Sequence, residues 1–213
     1  MEYFAFQWHI TKACDQRCKH CYIYALGSHA KFREMAVEDM VKVIGNCRTF
    51  CKKAGRMPYF YLTGGDPILH PQFWTLAKLL RERDLPFAIL GNPFHLSDEV
   101  CERLAACGCR KYQLSLDGLR DTHDRIRRPG SYDETLAAIP PLKRAGISVA
   151  VMATVSKMER GGNSLSSGCG GGARGGCLCI CPVLSLTCRP GYHLFAPGIP
   201  GHDGAVLGEV PEI

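Results

Sequence analysis

Along the first 158 residues, apolar positions repeat alternately every two residues and every three to four, and the two periods take turns. "FAFQWHI" (Phe4–Ile10) reads as a strand rich in aromatics. Glu34–Ala54 then carries Val37, Met40, Val41, Ile44, Cys47 and Cys51 at the spacing of one helix face, with Gly55 placed to end it. "YFYLT" (Tyr59–Thr63) predicts a short buried strand that runs into Gly64-Gly65-Asp66-Pro67. Pro71 suits the first turn of a helix burying Phe73, Leu76, Leu79 and Leu80. "FAIL" (Phe87–Leu90) is the next strand, closed by Gly91-Asn92-Pro93, and Ser97-Asp98-Glu99 caps a helix through Ala106. "KYQLSL" (Lys111–Leu116) follows and ends in Asp117-Gly118. Ser131 with Glu134 forms a capping-box pair for a helix ending at Gly146. "ISVAVMATV" (Ile147–Val155) is apolar enough for a strand covered on both faces.

Strand, helix, strand at this spacing calls for right-handed crossovers and parallel pairing. The predicted fold is therefore α/β, a sheet of about five parallel strands curved into a partial (β/α) TIM-like barrel. Polar and Gly-rich residues gather after the strands, where the active-site loops of such barrels lie.

Beyond Lys157 the pattern stops. Residues 161–213 hold 13 Gly, 5 Pro and 5 Cys, no Lys, and only Arg174 and Arg189 as cations, without a sustained helix or strand period. Residues 1–158 are the expected core, and 159–213 a low-complexity tail, expected to be disordered or degenerate. A barrel that stops at this point would leave its fifth strand as an exposed parallel edge.

Composition narrows the chemistry. The 26 Lys+Arg against 20 Asp+Glu give a formal charge of +6, too weak and dispersed to argue for nucleic acid. No run of about 18 apolar residues predicts a membrane span, and the N-terminus lacks the order of a signal peptide. Thirteen cysteines without a signal peptide favour metal or redox chemistry over disulfides, and the expected compartment is the cytoplasm. Cys47, Cys51 and Cys101 fall at helical core spacing, and Cys107 and Cys109 flank a helix end; packing accounts for these five.

"ACDQRCKHCY" (Ala13–Tyr22) is different: Cys14, Cys18 and Cys21 are spaced C-x3-C-x2-C on one loop. Structural zinc wants four ligands, and no partner C-x-x-C or H-x3-H pair precedes the tail. A disulfide would leave an odd cysteine. A cubane iron–sulfur cluster fits better, since three thiolates can hold three irons and leave the fourth open to a ligand.

This loop, behind a first strand, resembles the signature of the radical S-adenosylmethionine (radical SAM) enzymes. "LTGGDP" (Leu62–Pro67) resembles the family's Gly-Gly-Glu-Pro segment, with Asp66 one methylene shorter than the usual Glu. "SLDG" with "HDRIRRPGSYDET" (Ser115–Gly118 and His123–Thr135) resembles the SPASM/twitch group, which includes peptide maturases. The resemblance implies a [4Fe–4S] cluster on Cys14, Cys18 and Cys21, with SAM on the fourth iron. It further implies His20 beside the adenine, Gly64, Gly65 and Asp66 at the methionine amino group, Ser115 at the ribose and Arg127 at the carboxylate. The implied activity is reductive cleavage of SAM to a 5′-deoxyadenosyl radical that abstracts hydrogen from a peptide or protein, with a reductant such as flavodoxin or ferredoxin. Asp117 is a further residue placed to face this site, and His123-Asp124 reads as a capping or packing pair. Cys169, Cys177, Cys179, Cys181 and Cys188 do not match the spacing of an auxiliary cluster. Because a member of the family would continue past Val155, the chain reads as truncated or frame-shifted after about residue 158. The rival reading is a catalytically inactive, cluster-binding fragment.

Overall fold

The computed structural model describes residues 2–25, 34–155 and 177–182. Strand β1 (Tyr3–Thr11) leads through the cysteine loop and a short helix α1 (Tyr22–Ala25) to α2 (Val37–Lys53). Then come β2 (Met57–Gly64), a 3-10 turn at Pro67–Leu69, α3 (Phe73–Arg81), β3 (Phe87–Leu90), α4 (Asp98–Ala106) and β4 (Cys109–Ser115). Two helices, α5 (Arg120–Ile126) and α6 (Ser131–Arg144), precede β5 (Ser148–Val155). The sheet order follows the chain, β1-β2-β3-β4-β5, and every one of these neighbouring pairs is parallel. Sequential order with a helical crossover between strands is how a (β/α) barrel winds, so the fold is the expected α/β one.

Alternation along the strands sorts the two faces. Phe60, Leu62, Phe87, Ile89, Tyr112 and Leu114 are fully buried under the helices, against Met40 and Ile44 of α2, Phe73, Leu76 and Leu80 of α3, and Leu104 of α4. The opposite face is more polar and, apart from the fully buried Ala88, more open: Gln7, Tyr61, Ala88, Lys111 and Ser148 form one row across the five strands.

Three features depart from the sequence reading. A sixth strand, β6 (Cys177–Pro182), pairs antiparallel with β5, from Ala150↔Pro182 to Val155↔Cys177, so the fifth strand is not an exposed edge. Its short apolar run is hidden in sequence among glycines. The rest of the 159–213 stretch, including Cys169 and Cys188, lies outside the described residues. Second, Ser131 does not cap α6; it is buried, and Gly130, at φ 79°, is the N-cap. The Asp124 carboxylate accepts instead from the Gly130 and Tyr132 amides, at 2.8 Å each. Third, Pro71 lies ahead of α3, whose N-cap is Gln72, and Ala77 takes the buried place expected of Leu79. The Ser97 cap is present, its hydroxyl accepting from Val100 N–H at 3.2 Å. No helix among the described residues is long and apolar enough to cross a membrane.

Candidate functional site

The cysteine loop emerges from the C-terminal end of β1, and its backbone is pinned from both sides. The Gly65 amide donates to Thr11 O at 2.8 Å and the Asp66 amide to Ala13 O at 2.7 Å. Lys19 N–H donates to Ile126 O of α5 at 2.9 Å, and the Tyr24 hydroxyl donates to Lys12 O at 2.8 Å. Arg17 spans the loop, donating to Cys14 O at 2.6 Å with its guanidinium 4.3 Å above the Tyr24 ring.

The glycines explain how β2 comes this near. A Cβ on Gly64, whose φ is 129°, would stand 2.2 Å from Thr11 O, and one on Gly65 would stand 2.1 Å from Ala13 O. Their visible neighbour is thus the backbone of the cysteine loop itself, and any side chain would push that loop off the sheet.

Cys14, Cys18 and Cys21 are free, half-buried thiols. Burial raises the Cys14 and Cys18 thiols above their ordinary range; the Asn92 amide works against this at Cys14, and the Arg127 guanidinium at Cys18. A single metal ion would draw its ligand atoms together; tetrahedral zinc puts its sulfurs roughly 3.8 Å apart. Among the described residues, the group with ligand atoms within 4.8 Å of one another is Asp15, Asp66 and His95, not the three cysteines. Three thiols on one loop, set wider than one ion's shell, suit a cluster whose irons each take one thiolate.

Two walls flank this loop. On the β2–β3 side, Asp66 is fully buried and neither carboxylate oxygen makes a hydrogen bond of normal geometry, although the Ile68 and Asn92 backbone amides lie near enough to oppose the rise in its pKa. Burial, and then the nearby Asp15 charge, push its carboxyl up to about 7. Asp15 is held by Asn92 Nδ2 at 2.6 Å and by His95 Nε2 at 3.0 Å. On the β4–β5 side, Asp117 is fully buried and well satisfied. It accepts from Arg127 Nε at 2.6 Å and from Thr154 N–H at 2.9 Å, while its own amide donates to His123 Nδ1 at 3.1 Å. Arg127 Nη1 then reaches Cys18 Sγ at 3.6 Å. His20 Nε2 lies 3.8 Å from Asp117 Oδ2; burial lowers the imidazole's affinity for a proton and the Asp117 charge opposes that.

Of the residues singled out by sequence, Cys14, Cys18, His20 and Cys21 thus lie on one loop, and Gly64, Gly65, Asp66, Asp117 and Arg127 border it. Ser115 stands half-buried at the end of β4, opposite Met152 of β5. Asp15 and His95 were not foreseen, and Asn92 entered the sequence reading only as part of the Gly91-Asn92-Pro93 turn that closes the third strand. The "GN" after the third strand was the one visible signal; nothing in the sequence ties His95 to Asp15.

A sequence model described as the Radical SAM superfamily matches residues 8–159. An AdoMet-dependent heme synthase of Methanosarcina barkeri is 30% identical over 152 residues, covering 70% of this chain and 42% of that protein. The mycofactocin maturase MftC of Mycobacterium ulcerans is 30% identical over 151 residues, covering 70% of this chain and 38% of that one. The crystal structure of Streptococcus suis SuiB bound to precursor peptide SuiA superposes with a TM-score of 0.54 at 15% identity, over 70% of this chain and 32% of SuiB. The chain spans about two fifths of the length of the two curated relatives.

Proposed function

The chain belongs to the radical SAM superfamily, and from that premise we propose that it binds a [4Fe–4S] cluster and SAM and modifies a peptide or protein by hydrogen abstraction. The observation that carries this reading is the pairing of three free, half-buried thiols on one loop with a buried, unpartnered carboxylate beside them. Radical SAM proteins use a [4Fe–4S] cluster and SAM; the chemistry that these supply together is reductive cleavage of SAM to a 5′-deoxyadenosyl radical. Cys14, Cys18 and Cys21 would hold three irons.

Asp66 supports a site for the SAM ammonium group. An ionised carboxylate without partners is costly to bury, and an incoming cation would compensate it. A carboxylate oxygen of Asp15 lies within 4.8 Å of one of Asp66, so a second acid stands beside the same place. Arg127 keeps Nε on Asp117 and Nη1 at Cys18, which leaves Nη2 for the SAM carboxylate. Ser115 would meet the ribose, and His20, 36% exposed, the adenine. On this reading residues 1–158 are the binding core, the compartment is the cytoplasm, and the electron comes from a carrier such as flavodoxin or ferredoxin.

The SPASM-like segments at Ser115–Gly118 and His123–Thr135 and the maturase among the relatives support a peptide substrate. A porphyrin substrate is the second reading, favoured by the similarity to a heme synthase. Whether a chain of this length turns over is tested directly. After anaerobic reconstitution we expect brown protein whose thiolate-to-iron absorption is lost in Cys18→Ala, and 5′-deoxyadenosine from SAM under a strong reductant. Cluster without 5′-deoxyadenosine would favour the inactive fragment, and colourless protein holding stoichiometric zinc would sink both.

A further inference from the structure

The turn after β3 reaches across the site to the first cysteine. Asn92 is 8% exposed, and its Nδ2 donates both to Cys14 Sγ at 3.2 Å and to Asp15 Oδ1 at 2.6 Å. Both targets are acceptors, so the side-chain amide must present its NH2 to them rather than its oxygen. The residue is not free to turn away. Its carbonyl accepts from the hydroxyl of Tyr112, a fully buried side chain of β4, at 2.9 Å, and the Gly91 amide donates to Gln113 O at 3.2 Å. A Cβ on Gly91 would stand 2.5 Å from that hydroxyl and 2.9 Å from Asp66 Oδ1. Glycine at 91 is thus what lets the turn sit between Tyr112 and Asp66 and aim Asn92 at the loop.

A hydrogen bond to a cysteine sulfur acts on the metal that the sulfur holds. It draws electron density from the thiolate, stabilises the more electron-rich reduced form, and raises the reduction potential. Here the donor is neutral, buried and fixed by β4, while the groups around it, Asp15 and Asp66, are acids that pull the potential the other way.

We propose that Asn92 is a positioning residue for the cluster, its side-chain amide donating an N–H···S hydrogen bond to Cys14 that sets the reduction potential upward. This rests on the cluster reading above. An aspartate at 92 would keep the shape, lose the donor, and set a second carboxylate against Asp15.

Potentiometric titration of the reconstituted full chain, followed by EPR of the reduced cluster, tests it. Asn92→Ala should lower the equilibrium constant for one-electron reduction about tenfold, a shift of about 59 mV for a one-electron couple. Asn92→Asp should move it further in the same direction. Wild-type potentials in both variants, at equal iron content, would overturn the proposal. A measurement on the unaltered protein guards against variants that lose the cluster. With 15N-asparagine, pulsed EPR of the reduced cluster should show nitrogen coupling from Asn92, and absence of that coupling overturns the proposal as well. Failure of the cluster reading is separate: wild-type protein would then hold no iron to titrate.

Discussion

Cys14 and Cys18 stand four residues apart on one loop, yet the protein supports them in opposite ways. At Cys14 the donor is a neutral amide, Asn92, set among two acids and a histidine, and the deepest of these acids, Asp66, has no partner. At Cys18 the donor is a guanidinium, Arg127, backed by Asp117, a carboxylate whose two oxygens both accept hydrogen bonds. One wall is an unfinished electrostatic arrangement that a cation would complete. The other is finished before any ligand arrives. An unsatisfied buried charge marks the place where binding energy is waiting, whereas a satisfied one marks a strut.

The comparison breaks most completely where both walls lose their common loop. Gly65→Ala places a Cβ 2.1 Å from Ala13 O and 2.8 Å from Lys12 O, both backbone atoms with no rotamer to yield. We expect a loss beyond about 4 kcal/mol in chemical denaturation, or failure to fold, and no iron uptake. A stable Gly65→Ala protein with normal iron would show that the loop can move off the sheet without harm.

Asp117→Ala attacks the finished wall alone. It leaves Arg127, only 12% exposed, without its carboxylate and leaves the Thr154 amide unsatisfied. Removing one partner of such a buried pair should cost about 3 kcal/mol, read from the denaturation midpoint. An effect below about 1 kcal/mol would mean that the wall is not a strut.

Much of this was legible in sequence, and the limits have physical causes. Strands such as Phe87–Leu90 and helices such as Asp98–Ala106 announce themselves because alternation, caps and breakers are local. The cysteine loop and Gly64-Gly65-Asp66 were likewise visible as motifs. What escaped depends on distance along the chain. Asn92 meets Cys14 across 78 positions, and Asp124, although marked for capping or packing, was not tied to the start of α6 seven residues on, where a local capping box at Ser131 looked sufficient. The purpose of Gly64 and Gly65 was read toward a ligand, yet what crowds them in the structure is the backbone of Thr11 and Ala13. No local pattern encodes that contact.

The unfinished wall can be sharpened through pH. Asp66 has a folded-state pKa of about 7 against an ordinary value of 3.8. Below both values it is neutral in either state and contributes nothing. As pH rises between them, the unfolded chain releases the proton and the folded chain keeps it, so stability falls and the loss is complete above about 7. Wild-type apoprotein should therefore lose on the order of 4 kcal/mol relative to Asp66→Asn between pH 4 and 8. The same substitution should weaken SAM binding by the reconstituted protein, measured by calorimetry. Parallel pH profiles for the two proteins would show that Asp66 already has a partner.

The smallest effect belongs to His95→Gln. His95 is 39% exposed and pairs with Asp15, which is 24% exposed, at 3.0 Å. Solvent screens such a pair, and Asp15 keeps its 2.6 Å bond from Asn92 when the imidazole is gone. Glutamine can still donate to the freed oxygen. The loss should stay below about 1 kcal/mol, with iron content unchanged. If it instead matched that of Asp117→Ala, the Cys14 wall would be held by an ion pair, and the contrast between a neutral and a charged support for the two thiols would fail.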